Sequence, residues 1–259
     1  MKIATWNING IISRLQHVID WCAANQPDVL CLQETKCVDA KFPHQRLRSI
    51  GFEHIEFIGE KAYNGVAILS KFPLEDIEKN FPGDAADAPK RLIAATVNGI
   101  RIVNVYVPHG TLFGSDKFAF KLDWIARLRK YFDENYELDD EVLLCGDLNV
   151  APHELDVWKP LLWKDKMHFT KPERDAIREL KRWGFVDVFR QINDDEPGQF
   201  TWWDIFRESS FLKNRGLRID HIWASPALAE ACTDCWIDKT PRALEKPSDH
   251  APVVAEFSI

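Results

Sequence analysis

Six polar sites in this chain carry residue types suited to metal-assisted attack on a phosphate ester, and each stands at an end of a short apolar run. Asn7 closes the run Ile3–Trp6, Glu34 closes Val29–Gln33, and Tyr106 closes Ile100–Val105. Asp147 and Asn149 follow Val142–Cys145. Asp220 lies within Leu217-Arg218-Ile219-Asp220-His221-Ile222, and Asp249-His250 precedes Ala251-Pro252-Val253-Val254. Hard divalent cations take carboxylate and carboxamide oxygens and keep several waters. Beside a phosphate, such an ion neutralises charge and makes a nucleophile of its water. Short apolar runs bounded by turn signals read as buried strands, so a polar residue at a run's end lies at a sheet edge. The last two sites open their runs, and a strand of opposite sense begins where its neighbour ends. All six sites can therefore meet at one edge of a mixed sheet assembly.

Each residue also has a plainer reading. Gly146 allows a tight turn after a buried strand. Asp147 can then take a proton from water, and Asn149 can hold that water or a phosphate oxygen; the alternative is an Asx-turn that merely ends the strand. Glu34 is a magnesium ligand or a solvated strand-terminal acid, and Asn7 a neighbour of the same ion or a turn residue. Asp249 and His250 are adjacent on an extended backbone and point opposite ways. His250 therefore needs another carboxylate to orient it, and Asp220 is the candidate.

The elements that must position these residues are legible in outline. The 259 residues suit one large domain, 1–259, with 46% apolar and 28% charged content. Helical spacing appears over Arg14–Asn25, and over Phe118–Asn135 with Leu122, Ile125, Leu128 and Phe132 on one face. Thr170-Lys-Pro-Glu173 reads as a capping box, with Gly184 closing its helix. Phe81–Lys90 and Asn193–Gln199 read as loops. Thr5-Trp6-Asn7-Ile8-Asn9 and Cys145-Gly146-Asp147-Leu148-Asn149 echo each other, as two half-sheets facing one another would. The six cysteines read as buried thiols in a reducing compartment. Cys232-Thr-Asp-Cys235 is a lone pair, where zinc would want a second. No apolar run approaches the ~20 residues that span a bilayer. The opening Met1-Lys2-Ile3-Ala4-Thr5-Trp6 lacks a secretory h-region, so the expected setting is cytoplasmic, with no membrane. A net charge of −7 excludes a broad nucleic-acid coat but not a nuclease with a local basic patch.

Seven stretches, in order from residue 5 to residue 252, carry a resemblance. They are Thr5-Trp6-Asn7-Ile8-Asn9-Gly10, Leu32-Gln33-Glu34-Thr35-Lys36, Tyr63-Asn64-Gly65-Val66-Ala67, Asn104-Val105-Tyr106-Val107-Pro108, Gly146-Asp147-Leu148-Asn149, Gly216-Leu217-Arg218-Ile219-Asp220, and Pro247-Ser248-Asp249-His250-Ala251-Pro252. The chain resembles the exonuclease III family of DNA-repair nucleases, within the endonuclease/exonuclease/phosphatase superfamily. The resemblance implies a four-layered α/β sandwich, with two mixed sheets face to face and helices outside. It implies Mg2+, with Mn2+ able to substitute, held by Glu34 with Asn7 and Asp249 close by. Asp147 would activate water, Asn149 would place the phosphate, and Tyr106 would bond the phosphate or the leaving oxygen. His250, oriented by Asp220, would stabilise the developing charge. Asn9, Lys36, Asn104, His109 and Arg215 would contact substrate, and Trp202, Leu217 and Ile219 would line a pocket for an abasic sugar or a 3′-terminal nucleotide. The implied substrate is double-stranded DNA with 3′ ends, nicks, gaps or abasic sites, acted on by a monomer.

The segment from Phe200 to Arg218 adds grip: Phe200, Trp202, Trp203, Phe206 and Phe211 interleave with Arg207, Lys213, Arg215 and Arg218, a mix that can stack bases and track a backbone. Two departures from the family pattern stand at the rim. His109 follows Pro108 where an amide is usual; its donation to phosphate is expected to weaken as pH rises through its pKa. His168 stands where abasic-site endonucleases of the family carry a small residue. Its bulk is expected to obstruct a continuous strand more than a terminus, favouring 3′-end processing. Two other readings share the same core: a phosphoesterase of the phosphoinositide or sphingomyelin type, and a catalytically silent DNA-binding protein.

Overall fold

A computed structural model of the chain describes residues 1–205 and 209–259. In chain order the described elements are β1 (Lys2–Asn7), α1 (Ile11–Asn25), β2 (Val29–Gln33), α2 (His44–Arg48), β3 (His54–Ile58), β4 (Val66–Ser70), β5 (Glu75–Lys79), β6 (Leu92–Val97) and β7 (Ile100–Tyr106). There follow α3 (Asp116–Asn135), β8 (Val142–Asp147), α4 (Pro160–Trp163), α5 (Lys171–Lys181), β9 (Val186–Asp187), α6 (Val188–Asn193), β10 (Asp220–Ala224), α7 (Pro226–Glu230), β11 (Cys232–Ile237) and β12 (Val253–Phe257).

The strands form two six-stranded sheets, ordered β11-β12-β1-β2-β4-β3 and β5-β6-β7-β8-β10-β9. The β1–β2 and β7–β8 pairs are parallel and every other pair is antiparallel. The two orders are thus one pattern used twice, with β1 matching β7 and β2 matching β8. The sequence echo between Asn7 and Asp147 therefore joins strands that do not correspond; Asn7 is matched by Tyr106, and the end of β2 by the end of β8.

Alternation along each strand builds the layers. In β2, Val29 and Cys31 face the second sheet, among Ile102, Leu143, Cys145 and Ile222. Leu30 and Leu32 face outward onto Val18, Trp21 and Cys22 of α1. On the far side, Val103 and Leu144 meet Ile125 and Leu128 of α3 and Ile177 and Leu180 of α5. The result is the four-layered α/β sandwich that the resemblance implies.

Three of the seven described α-helices are expected from the sequence, and the ends at Asn25 and Asn135 agree. The first helix begins three residues before the expected Arg14, which sits at a kink with φ −122°. The reciprocal Thr170–Glu173 box opens α5 as predicted. The expected apolar stripe of α3 is rotated: Lys121, not Leu122, shares the buried face with Phe118, Ile125, Leu128 and Phe132. All six cysteines are unpaired and buried.

Candidate active site

The register of β7, β8 and β10 puts Tyr106 beside Asp147 and Asp147 beside Asp220, at one end of the second sheet. Asn7 and Glu34 arrive from β1 and β2 of the first sheet, and a bridge between Trp202 and His250 closes the side. Asn7 joins the halves: its Nδ2 donates to Glu34 Oε1 and to Asp147 Oδ2, both at 2.9 Å. Side chains predicted from six separated sequence motifs thus share one cleft. A concavity of about 630 Å³, lined by Met1, Lys2, Asn25 and Asp28 among others, contains none of them.

Several of these residues stand on left-handed backbone. Asn9, Glu34, Lys36, Asn64, Asn149 and His168 have φ between 43° and 72°. Such non-glycine conformations cost about 1–3 kcal/mol each and persist where surrounding contacts over-determine them. Here the contacts are polar. Asn149 N–H donates to Asp147 Oδ1 at 2.8 Å, and Asn149 Nδ2 donates to the Val107 carbonyl at 2.9 Å. Lys36 Nζ donates to Asn9 Oδ1 at 2.6 Å and pairs with Glu34 Oε2 at 2.7 Å.

Charge is organised around His250. Its Nδ1–H faces Asp220 Oδ2 at 2.8 Å, and its Nε2 is 3.9 Å from Asp147 Oδ2. Burial opposes charge on the ring, but Asp220, Asp147 and Asp249 outweigh it and raise its pKa to about 10. Burial, then Asp220, pushes Asp147 up to about 8, against the pull of His250 and Asn7. An acid held there is mostly ionised only above about pH 8, and a cation beside it would lower that value. Burial, then Glu34 and Asp147, raises the Tyr106 phenol well above its ordinary value, so it remains a donor.

Glu34, Asp147 and His250 each bring a ligand atom within 4.8 Å of the others. His250 is nevertheless a poor ligand, because a protonated imidazole has no free lone pair. The half-exposed Glu34 and the buried Asp147 remain, and two carboxylates facing one cleft suit a hard divalent cation. The two other expected ligands, Asn7 and Asp249, are likewise hydrogen-bonded within the cleft. Asn7 turns its nitrogen to the carboxylates, while its oxygen accepts the Asn9 N–H at 3.0 Å. Asp249 spends one oxygen on Asn9 Nδ2 at 2.8 Å and the other on Trp202 Nε1 at 3.0 Å.

The expected substrate contacts divide. Asn9, Lys36, His109 and Trp202 keep exposed surface at the site or its rim, and Arg215 is exposed. Asn104 does not: it is fully buried between the sheets, donating to the Leu32 and Ala67 carbonyls and accepting from Gln33. Leu217 and Ile219 are also buried, packed with Val157 and Phe169 against Trp202. In the aromatic-basic segment, Phe200 and Trp203 are core, and Arg218 is locked to Asp156 and Asp187. Phe206 and Arg207 lie outside the described residues. Lys213 and Arg215 are exposed, and Arg215 lies over Trp158 at 5.1 Å.

At the rim, the rings of His109 and His168 meet edge to face at 4.7 Å, and His168 is 5.8 Å from Trp202. His109 Nδ1 accepts the Thr111 N–H at 3.0 Å, so its proton sits on Nε2. A neutral His109 therefore still donates, though more weakly than the cation, as expected. Two further neighbours escaped the sequence reading. Arg91 covers the Tyr106 ring at 4.6 Å and donates to its carbonyl at 3.1 Å. Ser248 Oγ donates to the Asn7 carbonyl at 2.6 Å and accepts the His250 N–H at 3.2 Å. Neither carries a periodic or spacing signal.

Known proteins share this arrangement. Exodeoxyribonuclease III of Haemophilus influenzae is 37% identical over 99% of this chain and 100% of its own. Among solved structures, an AP endonuclease from Archaeoglobus fulgidus is 42% identical over all of both chains, with a TM-score of 0.95. A 3′ phosphatase from Neisseria, bound to a product DNA hairpin, is also 42% identical over all of both chains, with a TM-score of 0.94. The family model for endonucleases, exonucleases and phosphatases matches residues 4–250, which span every member of the cleft, and the chain belongs to that endonuclease/exonuclease/phosphatase family.

Proposed function

We propose that the chain is a DNA-repair nuclease of exonuclease III type. It hydrolyses phosphodiesters at 3′ ends of duplex DNA, removes 3′-phosphates, and incises abasic sites less readily. The observation that carries this reading is the pairing of Glu34 and Asp147 through Asn7, with the Asp220–His250 cation on the other side of Asp147. The names of the relatives support a nuclease or phosphatase acting on DNA.

Glu34 and Asp147 would hold Mg2+, or Mn2+ in its place, which supplies charge neutralisation at the phosphate. Asp147 takes the proton of the attacking water as the new P–O bond forms. Asn149 orients the phosphate. Tyr106, kept protonated by its surroundings, donates to the phosphate or to the departing 3′ oxygen. The His250 imidazolium faces the charge that builds on the phosphoryl oxygens. The products are a 3′-hydroxyl and a 5′-phosphate. His168, buried against Trp202, narrows the rim and favours a strand terminus over a continuous strand. The two sheets share one core, which supports a single domain over 1–259 working as a monomer. The unpaired cysteines suit a reducing cytoplasm.

The test is a side-by-side assay on two duplexes, one with a recessed 3′ end and one with an internal abasic-site analogue, with chelator and then with added Mg2+. Metal-dependent release from the recessed end, faster than incision, is expected. Turnover that survives chelation, or release of phosphate from inositol phosphates in place of DNA, sinks the reading.

A further inference from the structure

The Lys121–Glu173 ion pair lies beneath the cleft, with both side chains fully buried. Burying two charges costs several kcal/mol of desolvation per ion, so such a pair is weak evidence for stability on its own account. What distinguishes this one is where its remaining hydrogen bonds go. Lys121 Nζ donates to Glu173, to the Asn149 carbonyl at 2.7 Å and to the His109 carbonyl at 3.2 Å. All three ammonium protons have a partner. Glu173 Oε1 also accepts the His168 N–H at 3.1 Å, and Oε2 accepts the Thr170 N–H at 3.0 Å and its hydroxyl at 2.7 Å. His168 Nδ1 lies 2.8 Å from the same Asn149 carbonyl. One ion pair thus ties together the loops after β7 and β8 and the loop before α5.

We propose that the Lys121–Glu173 pair is a positioning device that sets the backbone of Asn149, His168 and His109 at the cleft. This rests on the nuclease reading. Asn149 and His168 both hold left-handed φ, 52° and 72°, and each has a bond from the pair on its own backbone. Gly110 passes so close that an added Cβ would fall 3.0 Å from Lys121 Cδ, so the His109 loop is laid directly on the lysine stem. The pair also fixes protons. The Asn149 carbonyl can only accept, so His168 carries its proton on Nδ1 and leaves Nε2 bare, the reverse of His109. A pair serving only to dock α3 on α5 would have no need to bond three loop residues of the cleft.

The test is the double variant Lys121→Met/Glu173→Gln, which removes both charges and strands neither. A folded variant is expected to lose roughly 100-fold in kcat, as small misplacements at a reacting centre do. KM should change by less than about threefold, since Asn9, Lys36 and Trp202, which the pair does not bond, keep their hold on the substrate. A folded variant with kcat within about threefold of the parent overturns the proposal. Nitrogen-15 NMR of the parent at one pH gives a second reading, independent of turnover. A His168 proton on Nδ1 and a slowly exchanging Lys121 ammonium are expected; a proton on Nε2 or a freely exchanging ammonium overturns the proposal even if the variant fails to fold. A parent inactive on DNA refutes the nuclease reading instead, and leaves the NMR result to decide the pair.

Discussion

Asp220 holds His250 through both carboxylate oxygens, at 3.0 and 2.8 Å from Nδ1, while Nε2 of the same ring stands 3.9 Å from Asp147. The imidazole is a cation between two acids carried by neighbouring strands, β10 and β8, at paired register positions. Its charge is the product of that register.

A first prediction concerns pH. His250 is cationic below its raised value of about 10 and loses that charge as pH rises through it. On the proposed mechanism, activity declines along an alkaline limb near pH 10. Asp220→Asn removes the leading source of the rise, so the limb moves down toward the ordinary histidine value of about 6.5. Profiles of kcat/KM against pH for parent and variant check this; an unmoved limb contradicts it.

The Arg218 network bears on stability, not substrate. Arg218 bonds Asp156 at 2.7 Å and Asp187 at 3.1 and 2.7 Å, all buried. Burial alone would raise both acids, but Arg218 outweighs it and holds them below the ordinary range. Their contribution is complete above the unfolded value of about 3.9 and is lost as pH falls through the lower folded values. Arg218→Met strands Asp187, while Asp156 keeps Arg190 at 2.6 Å, and is expected to cost about 3–5 kcal/mol at pH 7. The gap should narrow in acid, where the stranded acid becomes protonated. Urea unfolding at pH 7 and pH 4 measures both; an equal gap at the two values refutes the account.

Asn104 separates a structural from a binding role. Asn104→Leu leaves the Leu32 and Ala67 carbonyls and Gln33 Nε2 each short of a partner. A loss of about 1–3 kcal/mol in thermal or urea unfolding is expected. KM for duplex DNA should stay unchanged, and a large rise in KM with intact stability would return Asn104 to the substrate contacts.

His168→Gly probes the rim. Its φ of 72° suits glycine, so the change removes the ring without forcing the backbone. The ratio of abasic-site incision to 3′-end trimming is expected to rise at least about tenfold, equivalent to 1.36 kcal/mol of barrier. An unchanged ratio shows that the ring does not decide which DNA enters.

Much of this molecule was legible before any fold was known, and where it was not the reasons are specific. Val29–Leu32 announced itself because residues buried on both faces leave an uninterrupted apolar run, and Ile100–Tyr106 showed through Ile100, Ile102, Val103 and Val105 despite Arg101 and Asn104. The box at Thr170–Glu173 was legible because a cap is made within one turn. Lys121 was readable in principle: a lysine spaced three and four residues from Phe118 and Ile125 falls on an apolar stripe, though which residues define that stripe depends on what packs there. Asn104 was misread for a related cause. It ends no strand and faces the other sheet, and only the sheet-on-sheet contact supplies its partners.

By itself, the sequence determined the strands, the helix caps and the set of residues able to do phosphate chemistry, because these depend on neighbours a few positions apart. The tertiary structure decided which atom of each residue faces which other. It turned the nitrogen of Asn7 to the carboxylates, engaged both oxygens of Asp249, set the tautomer of His168, and enclosed Lys121 with Glu173. Those outcomes arise between elements tens to hundreds of positions apart, where burial raises the cost of every unmet polar group and so selects the partners.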